Sequence, residues 1–127
     1  MSISRQNLSV IIVSFKSDHI IHHCINSIDK EIEIIVVDNS NNIEFKKKIE
    51  KQYKNVRCIL STKNIGMGAG NNIGIRSTNK DFALVLNPDV ILEKNAVILS
   101  DDDMDMTDEV IKILNKNLPK IKVELED

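Results

Sequence analysis

Tryptophan is absent from the chain, one tyrosine and three phenylalanines hold the aromatic share to 3%, and there are only four glycines and two prolines. So few aromatics, none interleaved with basic residues, exclude the stacking platform of a nucleic-acid-binding surface, and no nucleic acid partner is expected. Two cysteines, Cys24 and Cys58, lie inside apolar patterns with no CxxC or His-rich spacing, which reads as buried free thiols rather than a disulfide or zinc site. No run approaches the ~20 apolar residues of a membrane helix, and the N-terminus lacks the basic-apolar-small order of a signal peptide. The expectation is a cytoplasmic chain, or one peripheral to the inner face of the membrane. At 127 residues and 42% hydrophobic, it has material for one domain with one core. The net charge of -2 is unevenly spread: residues 1–98 carry 13 basic and 10 acidic residues, whereas residues 99–127 carry 4 and 9. A boundary is therefore expected near residue 98.

Three β-branched runs, Leu8-Ser9-Val10-Ile11-Ile12-Val13-Ser14, Glu33-Ile34-Ile35-Val36-Val37 and Val56-Arg57-Cys58-Ile59-Leu60, read as strands. Phe82-Ala83-Leu84-Val85-Leu86 reads as a fourth, covered on both faces and ended by Pro88, which cannot donate to a ladder. Between them, Ser17 is a candidate N-cap for a helix over 17–28 with Ile20, Ile21, Cys24, Ile25 and Ile28 on one face. A second helix over 43–53 turns Phe45 and Ile49 inward and Lys46, Lys47, Lys48 and Lys51 mostly to solvent. A third opens in the glycine-rich stretch and runs to about residue 77. Strands alternating with helices predict a parallel α/β sheet.

At the C-terminal edge of such a sheet ligands bind, so Asp38 and Asp89, each at or just past a strand end, are candidate site residues. For Asn87-Pro88-Asp89 an acidic turn is an equally good reading. The glycines at 66, 68, 70 and 74 fit neither register of a GxGxxG fingerprint, and no Gly-Lys-Ser/Thr makes a P-loop. They serve either close helix–sheet approach or backbone donation to a phosphate or sugar. His19 and His23 have the i, i+4 spacing of a metal pair, but no third ligand is near and solvated helix residues are the better reading.

Taken together, Ser9-Val10-Ile11-Ile12-Val13-Ser14-Phe15, Ile34-Ile35-Val36-Val37-Asp38-Asn39-Ser40, Asn64-Ile65-Gly66-Met67-Gly68-Ala69-Gly70-Asn71-Asn72-Ile73-Gly74 and Leu86-Asn87-Pro88-Asp89 resemble family 2 glycosyltransferases, most of all the rhamnosyltransferase-like branch. The resemblance implies an α/β fold of the nucleotide-diphospho-sugar transferase, or glycosyltransferase A, type with strand order 3-2-1-4. It implies a UDP- or dTDP-sugar donor, dTDP-rhamnose among them, and a glycan or lipid-linked acceptor in cell-surface polysaccharide synthesis. By the same resemblance Asp38 accepts the N3–H of a uracil or thymine, and Ser14, Phe15 and Lys16 flank the nucleoside. Asn39, Lys63, Asn64, Gly66, Gly70, Asn71 and Asn87 complete the nucleotide-sugar set. Asn87-Pro88-Asp89 falls at the family's Asp-x-Asp motif, so Asp89 is the candidate ligand for Mg2+ or Mn2+ bridging the diphosphate leaving group. Asn87 replaces the first Asp and removes a charge.

An inverting transferase needs a carboxylate base for the acceptor hydroxyl, which the family supplies from a C-terminal half. No such half is recognisable after Ile98, so no catalytic base is assigned, and residues 1–98 are expected to be a donor-binding half standing truncated. Asp101-Asp102-Asp103-Met104-Asp105 reads as a solvated linker. Thr107 caps an expected short helix with Val110, Ile111, Ile113, Leu114 and Leu118 as its apolar stripe, ended by Pro119, and Ile121-Lys122-Val123-Glu124-Leu125 alternates like a half-buried strand. That tail is expected either to cover apolar surface of the first part or to leave it to a homodimer. Three functions remain open: a transferase, a non-catalytic nucleotide-sugar-binding module or subunit that needs a partner acceptor half, and a degenerate fragment without a ligand.

Overall fold

The computed structural model describes residues 2–93. The expected linker, helix and strand of residues 99–127 lie outside the described residues. Within them the order is β1 (Leu8–Ser14), α1 (Ile21–Asn26), β2 (Glu33–Asp38), α2 (Ile43–Gln52), β3 (Val56–Leu60), α3 (Met67–Ser77) and β4 (Phe82–Leu86). The four strands form one parallel sheet in the order β3-β2-β1-β4, as the resemblance implied.

Alternation along β1 and β2 builds the two layers. Val10, Ile12, Ile34 and Val36 point to one face, where they meet Ile21, Cys24 and Ile25 of α1 and Phe45 and Ile49 of α2. Ile11, Val13, Ile35 and Val37 point to the other, against Ile73 of α3. Being covered on both sides is why β1 and β2 are continuous apolar runs rather than alternating ones. The distribution of helices follows from right-handed crossovers: β1 to β2 to β3 steps one way with α1 and α2 on one face, and the step back to β4 puts α3 on the other.

Two of the four glycines are explained by the close approach of α3 to the sheet. A Cβ at Gly74 would collide with Ile11 Cγ2, and one at Gly70 would lie 2.9 Å from both Val13 γ-carbons. Close helix–sheet packing therefore accounts for these two positions.

Three expectations need correction. Among the described residues β4 is not covered on both faces: Ala83 is exposed and Val85 is 41% exposed, because α3 packs over β1 and β2. Ser17 does not cap α1 with its side chain. Its hydroxyl turns back to donate to Phe15 O at 3.3 Å, and its carbonyl accepts from Ile20 and Ile21 N–H, so a tight turn precedes a helix that begins only at Ile21. His19 consequently lies in that turn, off the helix of His23, and no group of three His, Cys, Asp or Glu side chains that could hold a metal ion occurs among the described residues.

Candidate active site

The site begins where β1 and β2 end in register, Ser14 opposite Asp38. Both side chains point to the α1 and α2 face, and Asn39 N–H donates to Ser14 O at 2.8 Å to lock the two ends together. Asp38 is fully buried, and its carboxylate shapes the following turn. Oδ1 accepts from Ser40 N–H at 3.1 Å and from the Ser40 hydroxyl at 2.6 Å, while Oδ2 accepts from Asn42 N–H at 2.9 Å. The turn contains Asn41 in the left-handed region at φ 52. It delivers Asn42 as the N-cap of α2, where Oδ1 accepts from Glu44 N–H and Phe45 N–H, both at 3.1 Å. A carboxylate offers about four lone-pair sites, so roughly one of them, on Oδ2, is uncommitted.

A cavity of about 380 Å³ opens on this edge, lined among others by Ser14, Lys16, Asp18, Asp38, Ser40 and Asn42. The Ser14 hydroxyl is buried and has no hydrogen-bond partner among the described residues. An unpaired buried hydroxyl costs about 1–3 kcal/mol, which makes it a feature to be explained by function rather than by folding. Lys16 stands on the rim in the left-handed region, φ 54, with its ammonium 5.3 Å from the centre of the Phe15 ring, which is itself 48% exposed. Non-glycine residues in that region cost of order 1 kcal/mol or more and gather at ligand clamps.

Asn39 is buried and structural in its contacts: Nδ2 donates to Gly66 O at 3.0 Å and Oδ1 accepts from the Ser61 hydroxyl at 2.9 Å. It thereby ties β2 to the entry of α3, where Gly66 adopts φ 85 and its N–H donates to Asn64 Oδ1 at 3.0 Å. Lys63 is exposed on the same loop, and its carbonyl accepts from Ser61. Asn71 is half-buried on the first turns of α3, and its Oδ1 is buried without a partner among the described residues.

Asn87, Pro88 and Asp89 follow β4, the neighbour of β1, in a turn closed by Val90 N–H donating to Asn87 O at 3.1 Å. The turn packs on α1, with Cys24 Sγ 3.7 Å from Asn87 O. Burial, and secondarily the Asp89 carboxylate, push the Cys24 thiol up to about 11, so it stays neutral beneath the turn. Asp89 is exposed and has no hydrogen-bond or ion-pair partner among the described residues. An exposed carboxylate beside a side-chain amide is an oxygen-donor set that fits Mg2+ or Mn2+, ions that draw most of their ligands from phosphates and water.

Of the residues singled out from the sequence, the structure brings Ser14, Lys16 and Asp38 to one cavity; Phe15 is outside its lining, with its ring 5.3 Å from the Lys16 ammonium. Asn39, Lys63, Asn64, Gly66, Gly70 and Asn71 gather around α3, while Asn87 and Asp89 stand on the same C-terminal edge but outside the cavity lining. Sequence reasoning missed Ser40, Asn42 and Ser61. The run Ser40-Asn41-Asn42 before an apolar-periodic helix was a capping signal; nothing marked Ser61, whose hydroxyl and N–H meet the Asp38 carbonyl only in three dimensions. A second cavity of about 340 Å³, lined by Gln6, Asn7, Glu33, Asn79, Lys80 and Asp81, lies at the opposite edge. Size does not separate the two. Chemistry does: Glu33 there is occupied by Ser9 and Thr78, while the C-terminal cavity holds an unpaired hydroxyl beside an incompletely used carboxylate.

The sequence model of glycosyl transferase family 2 matches residues 9–98, most of the chain. The chain belongs to glycosyltransferase family 2. A relative described as low-salt glycan biosynthesis hexosyltransferase Agl10, from Haloferax volcanii, is 36% identical over 95 residues, which is 72% of this chain and 30% of the relative. Among solved structures, Staphylococcus aureus TarS in complex with UDP superposes with a TM-score of 0.59 at 24% identity, covering 69% of this chain and 29% of that one. The mannosyltransferase PcManGT from Pyrobaculum calidifontis, in complex with GDP-Man and Mn2+, gives 0.63 at 16% identity, covering 78% and 33%. These two likenesses show the fold, the glycosyltransferase A type. The family 2 chain thus spans about a third of the length of the relatives it matches.

Proposed function

We propose that this family 2 chain holds the donor of a glycosyl transfer, a UDP- or dTDP-sugar, with the base in the Ser14–Asp38 cavity and the diphosphate toward Asn87 and Asp89. The observation that carries the reading is the pairing of an unpartnered hydroxyl with a carboxylate that keeps about one free acceptor site, a match for the C=O and N–H of a uracil or thymine imide. Lys16 in the cavity lining offers a cation to the phosphates, and the exposed Phe15 ring beside it an aromatic face. Asp89, with Asn87, is the place for a divalent ion, which supplies charge neutralisation of the departing diphosphate when bound. The finer donor, dTDP-rhamnose, and a glycan or lipid-linked acceptor in cell-surface polysaccharide synthesis rest on the resemblance of the sequence blocks.

No described residue is assigned as the base that deprotonates the acceptor: Asp38 is largely committed to its turn and Asp89 stands at the metal position. The described residues are therefore assigned to donor binding, and the base, typically worth ~10²- to 10⁴-fold in rate, is not assigned among them. Calorimetric titration with uridine and thymidine diphosphates, with and without Mn2+, tests the proposal. Heat with either nucleotide, stronger with Mn2+, is expected, and Asp89→Ala should remove only the metal-dependent part. No heat with either would favour the fragment without a ligand, and turnover would mean that a base is present after all.

A further inference from the structure

Asp89 carries an exposed carboxylate on a turn whose Asn87 is exposed as well and whose Pro88 has no N–H to donate. Where that carboxylate stands is therefore decided by the backbone of residues 87–92, and this backbone is tied to the last turn of α1. Cys24 Sγ–H reaches Asn87 O at 3.7 Å, the same carbonyl that closes the turn by accepting from Val90 N–H at 3.1 Å. Ser27 holds the other end. Its hydroxyl donates to Cys24 O at 2.6 Å and accepts from Leu92 N–H at 3.0 Å. Between these anchors Val90 is partly buried and Leu92 is buried, both against the core that Cys24, Ile25 and Ile28 help to build. Asp89 is thus an exposed member of a segment whose other side is sealed to α1.

Resting on the reading of Asp89 as the ligand of the divalent ion, we infer that Ser27 is a positioning residue for that ion's site: it fixes residues 87–92 on α1 so that Asp89 is held ready, with Cys24 beneath the turn as the second anchor. Ending the helix does not by itself account for Ser27. As the C-cap of α1 it uses its backbone N–H, which donates to His23 O at 3.2 Å and to Cys24 O at 3.1 Å, and alanine would keep both bonds. The hydroxyl does something else. It spans from a carbonyl of α1 to an amide of a distant segment, and that place demands a group that donates and accepts at once. The chemistry of the site favours such a fixed turn. An ion of this kind draws few ligands from the protein, so ordering a loose segment at the moment of binding would consume much of what those few contacts gain. A segment already ordered by its outer partners avoids that cost.

A Mn2+ titration of the full chain in the presence of uridine diphosphate, set beside the nucleotide affinity without metal, separates positioning from mere stability. Ser27→Ala should leave the metal-free affinity, which the Ser14–Asp38 cavity supplies, in place. It should raise the Mn2+ concentration at the midpoint of the metal-dependent gain by about 10-fold, as loss of an outer-shell partner typically does. Ser27→Thr keeps a donor and an acceptor and should restore the midpoint. Amide exchange on the unaltered chain gives a reading that needs no variant: Leu92 N–H is expected to exchange roughly 10-fold or more below the unstructured rate. An unchanged Mn2+ midpoint in Ser27→Ala, an equal loss of affinity with and without Mn2+, or an unprotected Leu92 amide would each overturn the inference while the reading of Asp89 stands. No gain from Mn2+ in the unaltered chain would instead remove that reading, and this inference with it.

Discussion

Asp38 does two jobs with one carboxylate, and separating them is the main question at the scale of single residues. Its bonds to Ser40 and Asn42 are structural, so Asp38→Ala is expected to cost stability as well as nucleotide affinity. Ser14 separates the two effects. Ser14→Ala removes a buried hydroxyl that has no partner, so the free chain should gain up to ~1 kcal/mol in denaturant melts while its affinity for uridine diphosphate falls. A loss of stability with unchanged affinity would make Ser14 an ordinary packing residue. The position past a strand marked Asp38 and the family resemblance marked Ser14, yet neither could show that Asp38 is mostly saturated by its own turn. That required the path of 39–42, which depends on Asn41 entering the left-handed region. Cys58, pushed up to about 12 by burial and by the neighbouring Asp38 charge, should resist thiol reagents at neutral pH until the chain unfolds.

Among the elements, α3 is the one whose sequence had two readings and whose structure accounts for part of it. Gly74→Ala places a Cβ against Ile11 in the middle of β1, and overpacking of this kind costs ~1–3 kcal/mol. The expected outcome is a lower thermal midpoint, relieved in part by adding Ile11→Val; a neutral Gly74→Ala would mean that the helix can ride away from the sheet. The N-cap of α2 is a simpler case. Asn42→Ala should cost about 1 kcal/mol by releasing Glu44 and Phe45 N–H. Strands β1 to β3 were legible because burial on both faces writes itself as an uninterrupted β-branched run. β4 misled for the same reason: Phe82-Ala83-Leu84-Val85-Leu86 carries that signature, yet Ala83 and Val85 are exposed among the described residues. The start of α1 was misplaced because Ser17 has the chemistry of a cap but spends its hydroxyl on the turn after Lys16.

At the scale of the whole sheet, parallel strands whose helices change sides bring the ends of β1, β2 and β4 to one edge, which is where the proposed nucleotide site lies. Stability against acid rests elsewhere. Asp29 is held below its ordinary 3.8 by the Glu31 N–H and by Arg5. Burial alone would raise Glu50, but the Cys58 N–H, Lys46 and Arg57 hold it below 4.5. A lowered folded value means stability that is complete above the unfolded value and lost as pH falls through the folded one, so both contribute at neutral pH and fade below about pH 4. Asp29→Asn combined with Glu50→Gln should therefore flatten the fall of the melting temperature between about pH 5 and pH 3, by amounts suited to half-exposed pairs worth ~0.2–1 kcal/mol each. The central claim, that the nucleotide lies at the C-terminal edge, is tested most directly by backbone amide resonances followed during titration with uridine diphosphate. Saturable shifts at Ser14, Lys16 and residues 38–42 are predicted, with Gln6 and residues 79–81 unmoved; shifts confined to that opposite edge would contradict the account.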